Sequence, residues 1–308
     1  MPVGAAVPLA LVLLAAALHV LGERRATRLL GRPRSSRDRW RAASFYAGLA
    51  TILAALVSPI DGLAEKLFWV HMTQHVLLLT VAAPLIALGA PWNSMWRPLP
   101  LGVRRTLARQ ISRSRACAPL RALGHLLARP TPAWIAFNAN LVLWHIPAIY
   151  AHAIGDGPIH DLEHTTFLLF GVLLWAQVID SPPLHARLSA PWRVAYVVGM
   201  SIVSWVLSLI IIFASSPLYA HYADLVHRPG GISALADQQI AGGVMLVPGS
   251  IAASLYVFIE LYRWIAHDER ADPPRDGTPA PLPERVPPPA PGPSAAESAG
   301  RELERALA

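Results

Sequence analysis

Residues 67–89 read LFWVHMTQHVLLLTVAAPLIALG, a run without Lys, Arg, Asp or Glu. At a helical rise of about 1.5 Å per residue, this run is long enough to cross the roughly 30 Å hydrocarbon core of a bilayer. His71 and His75 stand four apart in it and therefore share one helix face. Ionisable groups inside a membrane helix are costly and functional by default. Pro84 lies further along and is expected to kink the helix.

Six more apolar blocks surround this one, at 3–21, 40–57, 134–150, 159–179, 192–213 and 240–264, the last interrupted by Pro248. The composition agrees with them. Of 308 residues, 54% are hydrophobic and only 15% charged, with mean hydropathy +0.41. Soluble domains carry about a quarter charged residues, so an ordinary soluble enzyme is excluded. The expectation is an all-α polytopic membrane bundle of about seven spans over residues 1–267. A Pro- and Ala-rich tail over 268–308 is expected to be disordered and cytoplasmic. No basic residue precedes the first block and no small-residue cleavage signal clearly follows it, so it reads as a retained span. Cys117 is the sole cysteine, which excludes an intramolecular disulfide and any Cys-paired metal site within the chain.

The loops give an orientation. Of 26 basic residues, 24 fall in the first, third and fifth connections and the C-terminal tail; only Lys66 and Arg228 fall on the other side. Basic loops stay cytoplasmic, so the N-terminus is expected outside, the C-terminus inside, and the number of spans odd. Tryptophans such as Trp40, Trp92, Trp134 and Trp192 lie near span ends, as amphipathic rings do. The net charge of +7 thus reads as a topology signal with affinity for anionic membrane lipids, and no nucleic-acid-binding module accompanies the arginines. Within 97–129 a basic amphipathic helix on the inner surface is expected, with Leu99, Val103, Leu107 and Ile111 as its apolar stripe.

Orientation sorts the histidines. His71 and His75 begin the third span, His145 ends the fourth, and His160 and His164 begin the fifth, all toward the outer side. By helical rise, His75 lies roughly 12 Å deep and His164 and His145 roughly 8 Å. Three neighbouring helices thus bring imidazoles to matching depth, a pattern that suits a metal ion. Gln74, Asp161 and Glu163 are possible orienting acceptors for the rings. Imidazole suits Cu, Zn, Fe and Ni, while the thioethers of Met72 and Met245 would favour Cu(I). Met72 follows His71 directly and points about 100° away round the helix. Bis-histidine haem b competes with copper, since it also needs facing imidazoles. His19, His125, His185 and His267 read as ordinary interfacial side chains on the inner side.

The segment entering the last span, with Asp237, Gln238, Gly242, Gly243 and Met245, adds polar groups and allows close helix approach; Asp237 and Gln238 read equally well as caps of their own helix. HExxH, GxSxG and P-loop motifs are absent, and no internal repeat supports a transporter.

At these residues the chain resembles the CtaG-type membrane proteins associated with assembly of caa-type cytochrome c oxidase. The likeness rests on His71-Met72-Thr73-Gln74-His75, the run from Pro84 to Pro91, Trp144-His145-Ile146-Pro147, His160-Asp161-Leu162-Glu163-His164 and the run from Asp237 to Met245. It spans roughly residues 40–264. The resemblance implies a bacterial plasma-membrane protein needed for making active haem–copper oxidase, with copper delivery as its role and oxidase subunits as its partners. An unrelated one-span copper chaperone shares the name but uses a cysteine pair, which this chain lacks. The leading expectation is an assembly factor, not an enzyme, holding copper with His71, His75, His145, His160 and His164, not all at once. The alternatives are a haem-binding membrane electron carrier or haem-handling protein, a metal-free assembly scaffold and, on the kinked spans alone, a transporter. Metal-bound imidazole must be neutral, so copper titration is expected to show binding weakening below about pH 6.5.

Overall fold

The computed structural model describes residues 6–31 and 34–271, so the tail lies outside the described residues from 272 onward. Residues 6–264 of these belong to one compact unit; of the second, 265–308, only the helical residues 265–271 are described. Among the described residues every regular element is a helix. In chain order these are α1 (Ala6–Leu30), α2 (Ser36–Leu56), α3 (Pro59–Ala64), α4 (Phe68–Val76), α5 (Ala83–Gly89), α6 (Trp92–Trp96), α7 (Leu101–Arg113) and α8 (Ala118–Leu127). There follow α9 (Pro130–Trp144), α10 (Pro147–Gly155), α11 (Gly157–Trp175), α12 (Ala190–Phe213), α13 (Ala220–Ala223), α14 (Ala234–Leu246) and α15 (Pro248–Ala271).

Among the described residues, four segments are long and apolar enough to cross a membrane: Ala6–Leu29, Phe68–Gly89, Ala190–Phe213 and Ala234–Ala266. The other three apolar blocks of the sequence form helices of a different kind. Block 40–57 is the later part of α2, whose first turns carry Arg37, Asp38, Arg39 and Arg41 behind a capping box between Ser35 and Asp38. Block 134–150 is not one helix. Pro147 forces Ile146 into extended backbone, so α9 stops at Trp144 and α10 begins anew. The 15 residues of α9 cover only about 22 Å. Block 159–179 is α11, whose opening turns carry His160, Asp161, Glu163 and His164 and so dilute its apolar character.

The basic stretch forms two short helices, α7 and α8, neither with a buried residue. Pro100 caps α7, which leaves Leu99 ahead of it, while Val103, Leu107 and Ile111 are exposed on the helix as an apolar stripe among arginines.

The helix bearing His71 and His75 changes form midway. Leu77–Ala82 is a π-helical segment joining α4 to α5. Pro84 accounts for it. The Ala83 N–H bonds to the Leu78 carbonyl, five residues back, rather than to Leu79. In the same register the Leu79 carbonyl would take its bond from residue 84, which is proline and has no N–H. The indole Nε1–H of Trp175 in α11 donates to that carbonyl at 3.0 Å instead. The two helices that carry the paired histidines are therefore pinned by a backbone defect in one and a side chain in the other. On the opposite flank α14 packs against both α4 and α12. Gly242 permits this, since a Cβ there would meet the Ser208 carbonyl at 3.0 Å and the Ile212 side chain at 2.6 Å. Gly243 has nothing within 4 Å and plays no such part.

Trp175→Phe keeps the ring and removes the donor, leaving a buried carbonyl unpaired. It is expected to cost about 1–3 kcal/mol, visible as a lower melting temperature of the purified protein by circular dichroism.

Candidate metal centre

α4 starts at Phe68 without a side-chain cap of its own. Asp237 of α14 supplies one from 169 residues away: its Oδ2 accepts from the Phe68 N–H at 3.0 Å and its Oδ1 from the Trp69 N–H at 3.0 Å. A carboxylate at a helix N-terminus also complements the helix dipole. α14 does not use Asp237 for its own cap, because Ser233 accepts from the Ala236 N–H there. Gln74 fixes the next turn, donating to the Ala55 carbonyl at 2.8 Å and to Asp61 Oδ1 at 3.1 Å. α4 is thus held in register by α14, α2 and α3.

On that helix the His71 and His75 rings meet edge to face, their Nε2 atoms 3.0 Å apart. His164 of α11 stands with its ring centroid 5.2 Å from His75 and 5.7 Å from His71, and His160 lies 5.2 Å from His71. One ligand atom from each of His71, His75 and His164 falls within 4.8 Å of the others; so does one from each of His71, His160 and Glu163. Glu163 is 1% exposed, with Oε1 3.5 Å from His75 Nε2 and Oε2 4.0 Å from His71 Nε2. Neither of its oxygens has a hydrogen-bond partner, and nor has His164 Nε2. Four buried side chains, His71, His75, Glu163 and His164, converge there.

The tautomers follow from the partners. Tyr222 of α13 donates its only proton to the Ala64 carbonyl at 2.7 Å, and burial holds its phenol above the ordinary range, so that proton stays. Toward His71 Nδ1, 3.3 Å away, Tyr222 is therefore the acceptor. His71 carries its proton on Nδ1, and Nε2 holds the lone pair. His75 then donates its Nε2–H to His71 Nε2, which leaves its lone pair on Nδ1, a buried atom without a partner. His145 is fixed in the same way, since its Nδ1–H donates to the Leu141 carbonyl at 2.7 Å and its buried Nε2 has no partner.

Among the residues expected from sequence, His71, His75, His160 and His164 come together, and Glu163 joins them as a direct neighbour rather than as a remote orienting group. His145 lies on the far side of His75, ring centroids 6.2 Å apart, and is in neither of the two sets. Asp237 and Gln74 hold α4 by the bonds above and touch none of the rings. Asp161 turns to a cavity of about 640 Å³ that it lines with Asp61, Glu65, His160, His71 and His164. Met72 faces away from His71, toward His145 and Met245. His19 is buried against Tyr46, 3.0 Å from its hydroxyl, rather than interfacial. Sequence reasoning gave Tyr222 only as one of the polar groups of the segment leaving the sixth span, and it missed Asp61 and Met200. Tyr222 and Asp61 sit in short helices between the spans with no spacing that ties them to a histidine, and Met200 lies in a span without histidine or acidic residues.

A family model, Cytochrome c oxidase caa3 assembly factor (Caa3_CtaG), matches residues 5–267, and the chain belongs to that family of assembly factors. It is also 22% identical over 237 residues to an uncharacterized protein of Mycobacterium bovis and to one of Mycobacterium tuberculosis. Each match covers 75% of this chain and 35% of the relative, so the chain spans about a third of the length of the curated relatives it matches. No solved structure matches it.

Asp237→Ala strips two N–H groups of their acceptor at the start of α4. It is expected to lower stability by about 1–2 kcal/mol, with Asp237→Asn losing less; chemical denaturation followed by tryptophan fluorescence measures both.

Proposed function

We propose that this chain holds copper for the assembly of cytochrome c oxidase, taking the ion at His71, His75 and His164 and passing it to an oxidase subunit. The observation that carries this reading is the set of buried imidazole nitrogens within 4.8 Å of one another. Such nitrogens suit copper, and with Cys117 as the lone cysteine no thiolate pair competes for it. Glu163, at 3.5 Å from His75 Nε2, offers a buried carboxyl group that, on giving up its proton, would offset the ion's charge. His71 arrives with its lone pair already on Nε2, so binding there needs no change of tautomer. His75 must move its proton to Nδ1 to join.

Haem asks for something else: two imidazoles on opposite faces of a macrocycle. The rings here stand at 4.3–5.7 Å centroid to centroid, a spacing for one ion. Nothing in this reading calls for a catalytic turnover; the chain binds, holds and releases.

In the proposed setting the chain is a multi-pass protein of the bacterial plasma membrane. α2, α9 with α10, and α11 complete seven crossings, and the basic segments lie on cytoplasmic anionic lipid. The histidine cluster then lies toward the outer side. The 640 Å³ cavity leads to it past Asp61, Glu65 and Asp161, whose field concentrates cations at its mouth.

Purified protein titrated with Cu(I) is expected to bind stoichiometrically and to lose at least tenfold in affinity on His71→Ala or His164→Ala. Unchanged affinity in both would remove the assignment, and a Soret band in the purified protein would replace copper with haem. Asp61→Asn with Asp161→Asn is expected to slow copper loading several-fold at low ionic strength, read by stopped flow, with the final stoichiometry kept.

A further inference from the structure

We infer that a second site, for a soft monovalent cation of the Cu(I) class, lies on the far side of His75, built from His145 Nε2 and the thioethers of Met72, Met200 and Met245. The four side chains come from the end of α9, α4, α12 and α14, and with His75 and Ser201 they line one cavity of about 50 Å³. Three of the chain's five methionines meet there, each less than a tenth exposed.

Thioethers are neutral, polarisable ligands that select Cu(I) over harder ions. His145 supplies the nitrogen. Its tautomer is set by the 2.7 Å bond to the Leu141 carbonyl, so Nε2 keeps a lone pair. That atom is buried without a hydrogen-bond partner, on a residue 4% exposed. Met72 and Met245 belong to one apolar cluster and Met200 to another. The cavity lies where the two meet, and besides apolar side chains such as Phe137 and Leu141 it is bounded by an imidazole whose Nε2 lone pair is free.

His75 lies at the seam. On α4, Met72 and His75 are three apart and share the face toward this cavity, while His71 and His75 are four apart and share the face toward α11. A neutral imidazole has one lone pair, so His75 serves one site at a time. Its Nε2 lone pair completes the site with His71 and His164; its Nδ1 lone pair is available when Nε2–H bonds to His71. An ion crossing between sites is accompanied by a proton shift within one ring. The two sites also differ in taste. The first, of nitrogen and carboxylate, accepts borderline ions; the second rejects all but soft ones. This deepens the copper reading and rests on it for its physiological meaning, though the ligands of the second site are its own.

The test uses the full chain in detergent and Ag(I), a redox-inert mimic of Cu(I), in equilibrium dialysis. Wild type is expected to hold two Ag(I) per chain. The combined Met72→Leu, Met200→Leu, Met245→Leu variant, a volume-conserving change, is expected to hold one. His164→Ala is expected to lose the other ion and keep the thioether-bound one. If the triple variant binds as much Ag(I) as wild type, the inference is overturned while the histidine cluster stands. If the triple variant loses one ion and His164→Ala loses none, the copper reading of the histidine cluster fails and the thioether site stands. Should the triple variant not fold, Cu K-edge absorption of His164→Ala loaded with one Cu(I) decides. Sulfur scatterers are expected, and nitrogen or oxygen alone would overturn the site.

Discussion

Proline cannot donate a backbone hydrogen bond, and the placing of the histidine helices follows from that one deficit at Pro84. The ladder shifts to a five-residue register before it, and the Leu79 carbonyl is met by the Trp175 indole. A π segment inserts about one extra residue and so turns the helix face by roughly 100°. The first half of the helix shows His71 and His75 to the histidines of α11. The π segment and α5 pack against both α11 and α2, with Ile86 beside Phe45 and Leu49.

The binding elements are organised on the same economy. Two of the rings have one nitrogen committed to an oxygen: His71 to Tyr222, and His145 to the Leu141 carbonyl. Committing one nitrogen in this way fixes the lone pair on the other. Preorganisation here is a matter of tautomers as much as of distances.

Much of this was legible in the sequence. The repeated four-residue spacing of His71 with His75 and of His160 with His164 put two imidazole pairs on helix faces, and the two pairs do meet. What stayed hidden depended on partners distant in the chain. Asp237 reads as a cap for its own helix, because nothing local shows that Phe68 and Trp69 will come to it. The break at Pro147 was visible, yet an apolar count over 134–150 passes straight through it. Met200 has only Ser201 and no histidine near it in sequence to mark it, and α12 alone brings it to the cavity that His145 lines. Periodicity reports one helix at a time; a site shared by four helices exceeds it.

α13 is a single turn, lying between two long helices and beside the fully exposed flank at Val226. It is fastened to the end of α3 by Tyr222 on the Ala64 carbonyl and His221 on the Glu65 carbonyl. Lifting that turn would withdraw the Tyr222 oxygen from His71 and free its ring proton to settle on either nitrogen. Whatever presses on this four-residue helix at the rim would thereby reset the tautomer of a buried ring, with nothing reaching the ring itself.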